Sequence, residues 1–145
     1  MGDLSIDLNT TFSNNKVKAL LNIIYTRNWI SSQQNTFFKP YGISPQQYNI
    51  LRILKGAGEA IKVQTIKERM IERSPNATRL MDKLCVKELI ERIPCPEDRR
   101  VVHIEITENG KLLLEEISKN LKDNLLKNLT EDEALQLSNL LDKIR

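Results

Sequence analysis

The sequence is poor in the residues that build metal sites and catalytic centres. Its 145 residues include two cysteines, Cys85 and Cys95, and one histidine, His103. The cysteines form no CxxC pair, and a structural zinc site normally needs four such ligands, so none can be assembled without carboxylates. A glycine-rich phosphate loop, a nucleophile elbow and a histidine–carboxylate pair beside a nucleophile are also missing. We therefore expect no metal, no cofactor and no enzymatic activity.

Long apolar runs are missing as well. No stretch is long enough to span a bilayer, and the first residues, MGDLSIDLNTTF, lack the charged and apolar regions of a signal peptide. We expect a cytoplasmic protein with no membrane partner. Hydrophobic residues make up 40% of the chain and charged residues 28%, which is ordinary for a soluble globular protein. A chain of this length favours a single domain over residues 1–145.

The net charge of +3 is unevenly placed along the chain. Residues 1–103 hold 16 lysines and arginines against 10 acidic residues, whereas residues 104–145 hold 6 against 9. A basic body with an acidic end suits a protein that presents one surface to an anion and turns another away.

Long amphipathic helices are predicted at both ends, after a weakly ordered segment over residues 1–15. The first helix spans about Lys16 to Phe38 and is closed by Pro40 and Gly42. The second begins at Thr107 and reaches about Asn128, and a final helix follows a capping box that starts at Thr130. The leucine stripe of the second helix is too rich for the surface of a monomer, which favours packing against a second copy.

The middle of the chain has helix-turn-helix spacing. Ser44 and Gln47 form a capping box at the start of one helix, and a short helix is predicted over about Val63 to Ile71. Ser74 is then an N-cap residue, and Pro75 suits the first helical position. The next helix turns an apolar face inward and a polar, basic face outward, as a recognition helix does.

A basic hairpin follows this helix. Val102, Ile104 and Ile106 alternate with Val101, His103 and Glu105, which is typical of a half-buried strand. The loop over residues 94–100 carries two prolines and two arginines. We interpret the hairpin as a wing beside the recognition helix.

Three segments carry a resemblance to a known family. They are Ala77–Leu84, Leu89–Arg92, and Asp98-Arg99-Arg100 with the alternating strand that leads to Thr107 and Gly110. Together they resemble the MarR-type winged helix-turn-helix regulators over about residues 16–145. The resemblance implies a mainly α fold with a small β-wing. Its DNA-binding lobe would lie at about 44–106, between dimerisation helices at about 16–38 and 107–145.

The resemblance also implies a function. Such proteins are homodimers that bind double-stranded DNA at a pseudo-palindromic operator, with a recognition helix in each major groove and a wing at each minor groove. Many release DNA when a small aromatic or anionic effector binds. We therefore expect a sequence-specific DNA-binding transcriptional regulator that acts as a repressor.

The residue chemistry indicates which side chains would touch DNA. Arginine pairs with guanine, asparagine with adenine, and the threonine methyl with thymine, while lysine suits phosphate. On the helices, the candidates are Gln64, Thr65, Ser74, Asn76, Thr78, Arg79 and Lys83. The alternative for Arg79 is a surface ion pair with Asp82 or Glu72.

In the wing, the resemblance assigns Arg100 to the minor groove and Asp98 to the carboxylate that orients it. Arg99 is expected to meet phosphate. A plain Asp98–Arg100 salt bridge is the alternative, and the two interpretations are compatible. The chain departs from the family pattern at Glu88, where many members carry glycine before the wing. If that position requires positive φ, Glu88 carries a steric cost.

Other hypotheses remain open. Cys95 lies near three arginines that could lower its pKa, which allows a redox-responsive regulator. The leucine-rich helices alone would also suit a non-catalytic dimerisation scaffold, although a scaffold does not need arginines at a hairpin tip. An effector pocket could be lined by aromatic residues, which core packing explains as well: Tyr25, Trp29, Phe37 and Tyr48.

Overall fold

The computed structural model describes residues 2–121 and 125–145. The protein is mainly α-helical with a small three-stranded antiparallel sheet, as the sequence predicted. The chain divides into two compact units, which meet in sequence between Gly42 and Ile43.

The first unit consists of two helices. Helix α1 spans Leu4–Asp7 and helix α2 spans Asn15–Phe38, followed by a 3-10 turn and by Gly42 in the left-handed conformation at φ 69°. Helix α1 lies within the segment over residues 1–15 that was predicted to be weakly ordered, so four residues of that segment are helical. The Asp3 carboxylate accepts from the Ser5 amide at 2.8 Å and from Lys18 Nζ at 3.3 Å, and these bonds lower the pKa of Asp3. They also tie α1 to the start of α2.

The second unit contains the helix-turn-helix and the wing. Its elements in chain order are α3 (Pro45–Ala57), β1 (Ile61–Lys62), α4 (Val63–Arg69), α5 (Ala77–Val86), β2 (Ile90–Pro94), β3 (Val102–Ile106), α6 (Glu108–Asn120) and α7 (Glu131–Ile144). The sheet order is β1-β3-β2, so the hairpin of β2 and β3 is extended by a short strand that the sequence analysis did not predict. Ile61 pairs with Ile104 in this added strand.

The core of the second unit lies where helices α3, α4, α5 and α6 meet the sheet. Each of these elements contributes at least one side chain that is fully enclosed, and each enclosed aliphatic side chain stabilises the fold by about 1.5–3 kcal/mol. The largest such side chains are Ile50, Leu51, Leu54, Ile66, Met81, Leu84, Ile90, Ile104, Leu114 and Ile117. This core holds one face of α5 in place and leaves its other face outside.

Two predicted helix boundaries are wrong. Helix α5 begins at Ala77, and its N-cap residue is Asn76 rather than Ser74. Helix α6 ends at Asn120 instead of continuing to Asn128, and residues 125–128 form turns. Residues 122–124 of the predicted helix lie outside the described residues. An apolar stripe alone did not show where these helices begin and end, because the same leucine spacing can run on through a turn.

Glu88 stands at the joint between α5 and β2, with φ at +58°. The amides of Glu88 and Leu89 donate to the carbonyls of Cys85 and Leu84, at 2.9 and 3.0 Å. This is the left-handed helix ending that usually selects glycine. The position of Glu88 therefore does require positive φ, and the expected steric cost of a residue other than glycine is confirmed.

Thr107 and Gly110, at the start of helix α6, lie against the segment that connects α5 to β2. Thr107 Oγ1 donates to the Glu88 carbonyl at 2.6 Å, and the Thr107 amide donates to the Leu89 carbonyl at 3.1 Å. A Cβ atom at Gly110 would lie 2.3 Å from the Leu89 carbonyl oxygen. The spacing Thr-x-x-Gly therefore allows α6 to begin directly against the end of α5.

Candidate nucleic-acid interface

Helix α5 has one face in the core and one face in solvent. Ala77, Met81 and Leu84 are buried, whereas Thr78 and Lys83 are exposed. Buried and exposed positions recur at three- and four-residue intervals, so one side of the helix is available along its length. The structure thus places the predicted base-contacting residues on an accessible face.

Asn76 and Arg79 lie on the same accessible side. Asn76 is exposed at the N-cap position, and within the described part of the chain its side chain makes no capping hydrogen bond. Arg79 is exposed and makes no ion pair with any residue in 2–121 or 125–145. Its two suggested partners bond elsewhere: Asp82 forms an ion pair with Arg92, and Glu72 accepts from the Gln46 amide at 2.9 Å. The ion-pair alternative for Arg79 is therefore not observed.

Ser74 shapes the turn before α5. Its Oγ accepts from the Asn76 amide at 3.1 Å, and its carbonyl accepts from the Ala77 amide at 3.2 Å. Ser74 is therefore a turn residue rather than the predicted helix cap. A serine followed by Pro75 is compatible with both roles, since the hydroxyl can bond an amide two residues on.

A groove of about 470 Å³ lies between α4 and this turn. Gln64 and Ser74, which were predicted to contact DNA, line this groove. Two positively charged residues that were not predicted as DNA contacts, Lys67 and Arg73, line it as well. The signal that could have found them is their spacing, because Lys67 lies about one helical turn after Gln64 and Arg73 directly precedes Ser74. The complete lining is Gln64, Lys67, Glu68, Met70, Arg73, Ser74, Pro75 and Ala77.

Gln64 and Thr65 are the two residues of α4 that were predicted to contact phosphate. The Gln64 amide donates to the Glu68 carboxylate at 3.1 Å along the helix, and Thr65 is half-buried. Gln64 must exchange this local bond for any bond to an outside acceptor. Lys67 and Arg73 line the groove and carry positive charge, whereas Thr65 is uncharged and is not among the lining residues.

The wing loop is shaped by its own backbone. Asp98 Oδ1 accepts from the Arg100 amide at 2.9 Å, and the Asp98 carbonyl accepts from the Val101 amide at 3.0 Å. The expected bond from Asp98 to the Arg100 side chain is not observed within the described residues, so the carboxylate acts on the main chain. The side chains of Arg99 and Arg100 are exposed beside this turn.

The ion pair between Asp82 and Arg92 links the outer side of α5 to strand β2. Both side chains are about half exposed, so the pair contributes at most about 1 kcal/mol to stability. The pair joins strand β2, one strand of the wing, to the helix that carries Arg79. The two predicted contact regions therefore belong to one connected surface.

The two cysteines differ in their surroundings. Burial raises the pKa of Cys85, and the Asp82 carboxylate acts in the same direction against the opposing effect of Arg92. Such a thiol is a poor nucleophile, although Cys85 is only half-buried and is not one of the buried core residues of α5. Cys95 is half-buried in the wing, where its amide donates to the Val101 carbonyl at 3.2 Å.

The aromatic residues proposed for an effector pocket fall in both units. In the first unit, the Phe37 ring packs edge-on against Phe38, with 5.0 Å between ring centroids, and Tyr25 and Trp29 are exposed. Tyr48 is half-buried on α3 in the second unit. Their role as an effector pocket stays a prediction.

Comparison with known protein families identifies the chain. The model of the MarR family matches residues 43–102. The multiple antibiotic resistance protein MarR of Salmonella typhimurium is 33% identical over 114 residues, which cover 76% of this chain and 78% of that protein. The chain belongs to the MarR family.

Other relatives agree with this membership. The HTH-type transcriptional repressor MdtR of Bacillus subtilis is 38% identical over 107 residues, covering 71% of this chain and 68% of that protein. A crystal structure of a mutant MarR from E. coli complexed with operator DNA has a TM-score of 0.76 and 27% identity, and the likeness covers 92% of this chain and 99% of that one. MarR proteins are transcriptional regulators, so this chain is a regulator and not an enzyme.

Within residues 2–121 and 125–145, no helix is both long and apolar enough to cross a membrane. The same part of the chain holds no group of three or more histidine, cysteine or acidic residues arranged to bind a metal ion.

Proposed function

We propose that this MarR-family chain is a homodimeric repressor that binds a pseudo-palindromic operator in double-stranded DNA. One observation carries the proposal. Asn76, Thr78 and Arg79 are exposed on a helix whose opposite face is locked into the core, beside a wing that exposes two arginines. The structural neighbour that was crystallised with operator DNA supports this use of the surface.

Each part of this surface has its own role on DNA. Arg79 and Asn76 contact base edges in the major groove, since arginine pairs bidentately with guanine and asparagine with adenine. Lys83 binds phosphate one turn further along α5. Arg100 enters the minor groove, where narrow A/T-rich sequences concentrate negative potential, and Arg99 binds phosphate nearby.

The groove between α4 and the turn holds a further phosphate. Its cations, Lys67 and Arg73, bring positive charge to the N-terminal side of α5. Phosphate contacts carry no sequence information, but they fix the position of the protein on the duplex. This contact would complement Gln64 and Ser74, which line the same groove.

The homodimer forms through the terminal helices of a single domain over residues 1–145. Leu20 and Ile24 on α2 and Leu140 and Ile144 on α7 are all exposed in the single chain. Apolar residues in such numbers on helices normally mark an interface. A dimer places two copies of α5 about one helical turn apart on the DNA.

The proposal is tested by selecting bound DNA from a random pool of duplexes with the purified protein. We expect enrichment of an inverted repeat, a particle of two chains by light scattering, and affinity that falls steeply as salt rises. A chain that enriches no sequence and binds with salt-independent affinity would contradict the DNA-binding function. A single-chain particle on a single half-site would contradict the dimer alone.

Repression and release by an effector need a separate test. The repressor MdtR among the relatives supports repression. Transcription from a reporter that carries the selected operator should fall when the protein is expressed. Aromatic acids should restore transcription and weaken operator binding in vitro if an effector site exists. The variants Tyr25→Ala, Trp29→Ala, Phe37→Ala and Tyr48→Ala would then show whether the predicted aromatic residues form it.

A further inference from the structure

A polar contact lies between α3 and the recognition helix, inside an otherwise apolar core. Gln47 is 5% exposed and is the one polar side chain buried among residues 2–121 and 125–145. Its Oε1 accepts from the Ser44 amide at 2.9 Å, and its Nε2 donates to the Leu80 carbonyl at 3.3 Å. Both ends of the amide are therefore used, and the second bond joins residues that are 33 positions apart.

Two neighbours on α3 hold the turn that precedes α5. Asn49 Oδ1 accepts from the Ile71 amide at 3.0 Å, and Gln46 Nε2 donates to the Glu72 carboxylate at 2.9 Å. Ile71 itself is almost fully exposed, so its amide is held by this bond rather than by burial. The first two turns of α3 thus contact both the start of the turn and the middle of the recognition helix.

We propose that Gln47 is a positioning residue that sets the placement of α5 on α3 and thereby the aim of the base-contacting side chains. This inference rests on the proposed DNA-binding function. Leu80 directly follows Arg79, so a rotation or slide of α5 that breaks the Gln47 bond also displaces the Arg79 side chain.

The physical reason is the difference between apolar and polar contacts. Ala77, Met81 and Leu84 hold α5 by burial, which has no preferred direction and tolerates small slides. A buried amide donor tolerates them poorly, because it finds no water once its acceptor moves away. The Gln47 bond therefore selects one placement from several that the apolar contacts allow.

Helix capping alone does not require glutamine at this position. In the capping box only the Oε1 acceptor of Gln47 is used, and glutamate serves equally well there. Helix α7 shows this directly, since Glu133 accepts from the Thr130 amide at 2.8 Å in the same arrangement. What glutamine adds is the N–H group, which is bonded to Leu80.

This separation of roles defines a matched pair of variants. Gln47→Glu keeps the acceptor for the Ser44 amide but removes the donor to Leu80. Ser44→Ala removes the hydroxyl that accepts from the backbone amide of Gln47 at 3.1 Å, and it leaves the side-chain bond from Gln47 to Leu80 intact. Gln47→Met, of similar shape and without charge, replaces Gln47→Glu if the buried carboxylate prevents folding.

The readout is the ratio of affinity for the selected operator to affinity for random duplex, in the full-length protein. We expect the Gln47 variants to lower this ratio roughly fivefold to tenfold, the effect of losing one buried hydrogen bond. Ser44→Ala should lower thermal stability and leave the ratio unchanged. If the ratio in the Gln47 variants equals that of wild type, or if it falls equally in Ser44→Ala, the positioning role is wrong.

Hydrogen exchange of the α5 amides gives a readout that does not depend on DNA. The Gln47 variants should speed exchange in α5 relative to α3 and α6, whereas Ser44→Ala should act on the first turn of α3. If the wild type shows no preference for any duplex, the proposed function fails, and this exchange pattern still decides whether Gln47 holds α5. Unchanged α5 exchange in the Gln47 variants would overturn the inference by itself.

Discussion

Helices α3 and α7 begin with the same capping motif but differ in what surrounds their apolar faces. Each opens with a complete capping box, Ser44 with Gln47 in α3 and Thr130 with Glu133 in α7, and each carries an apolar stripe. Helix α3 buries its stripe in the core of the second unit. None of the fourteen residues of α7, all within the described part of the chain, is buried.

A local sequence can therefore specify a helix without specifying which part of the protein covers its apolar face. Leu51 of α3 is 0% exposed, whereas Leu140 and Ile144 of α7 are 61% and 69% exposed. Because isolated helices of this length are marginal in water, α7 needs a partner for its apolar face. The proposed homodimer supplies one.

The largest effect is expected from truncating the two stripes. Leu51→Ala should lower the free energy of unfolding by about 2–5 kcal/mol, because it leaves a cavity in a closed core. Leu140→Ala should raise the dissociation constant of the dimer and lower stability most at low protein concentration. Denaturant unfolding over a hundredfold range of concentration measures both. A Leu140→Ala effect that does not vary with concentration would place the α7 stripe inside a monomeric fold.

The second effect concerns the outward face of α5. This face is exposed, as is the apolar stripe of α7, but its residues are polar. Arg79→Ala should weaken operator binding by about 1–3 kcal/mol and relax preference at one base pair. Lys83→Ala, the matched control, should weaken binding to all sequences and reduce the salt slope by about one unit. Neither should alter the oligomeric state. Equal losses on operator and random DNA for Arg79→Ala would assign it to phosphate instead.

The third effect compares helix ends. Gly58, the residue after helix α3, has a φ of 68°, and Glu88, two residues after the end of α5, lies in the same left-handed region. Glu88→Gly should raise the free energy of unfolding by up to about 1 kcal/mol, since relief of strain outweighs the greater freedom of glycine in the unfolded chain. Glu88→Ala keeps the strain and should change stability little. Thermal unfolding distinguishes them, and a destabilised Glu88→Gly would show that the glutamate side chain has a partner of its own.

The smallest effect separates the two capping boxes by pH. Hydrogen bonds from the Thr130 amide and hydroxyl lower the pKa of Glu133 in the folded chain. A lowered folded-state pKa means that the stabilisation is complete above the unfolded-state pKa and is lost as pH falls through the folded value. The start of α7 should therefore loosen in acid, at a pH below the ordinary pKa of a glutamate, whereas α3, capped by the uncharged Gln47, should not.

Amide chemical shifts of Thr130 and Gln47 followed through an acid titration provide the measurement. Glu133→Gln should abolish the pH response at Thr130 while leaving the helix in place. A response at Thr130 that persists in Glu133→Gln would assign the titration to Glu131 or Asp132 instead.

The sequence by itself determined most features that depend on neighbouring residues. The capping boxes at Ser44 and Thr130 and the amphipathic pattern of α5 follow from residues within four positions of one another, whereas the conflict at Glu88 was expected from the family resemblance. The family resemblance rested on the same kind of local pattern, with Thr107 and Gly110 at the joint after the wing. Patterns of this kind involve residues close in sequence, so they can be recognised without knowledge of the tertiary packing.

Only the tertiary structure decided the features that depend on distant residues. Strand β1 is two residues long and exists because β3 pairs with it, and the groove with Lys67 and Arg73 exists because α4 and the turn before α5 lie side by side. The bond from Gln47 to Leu80 crosses 33 positions. The spacing of apolar residues shows which face of a helix is apolar. It does not show which residues that face contacts, because burial and hydrogen bonding depend on the packing partners.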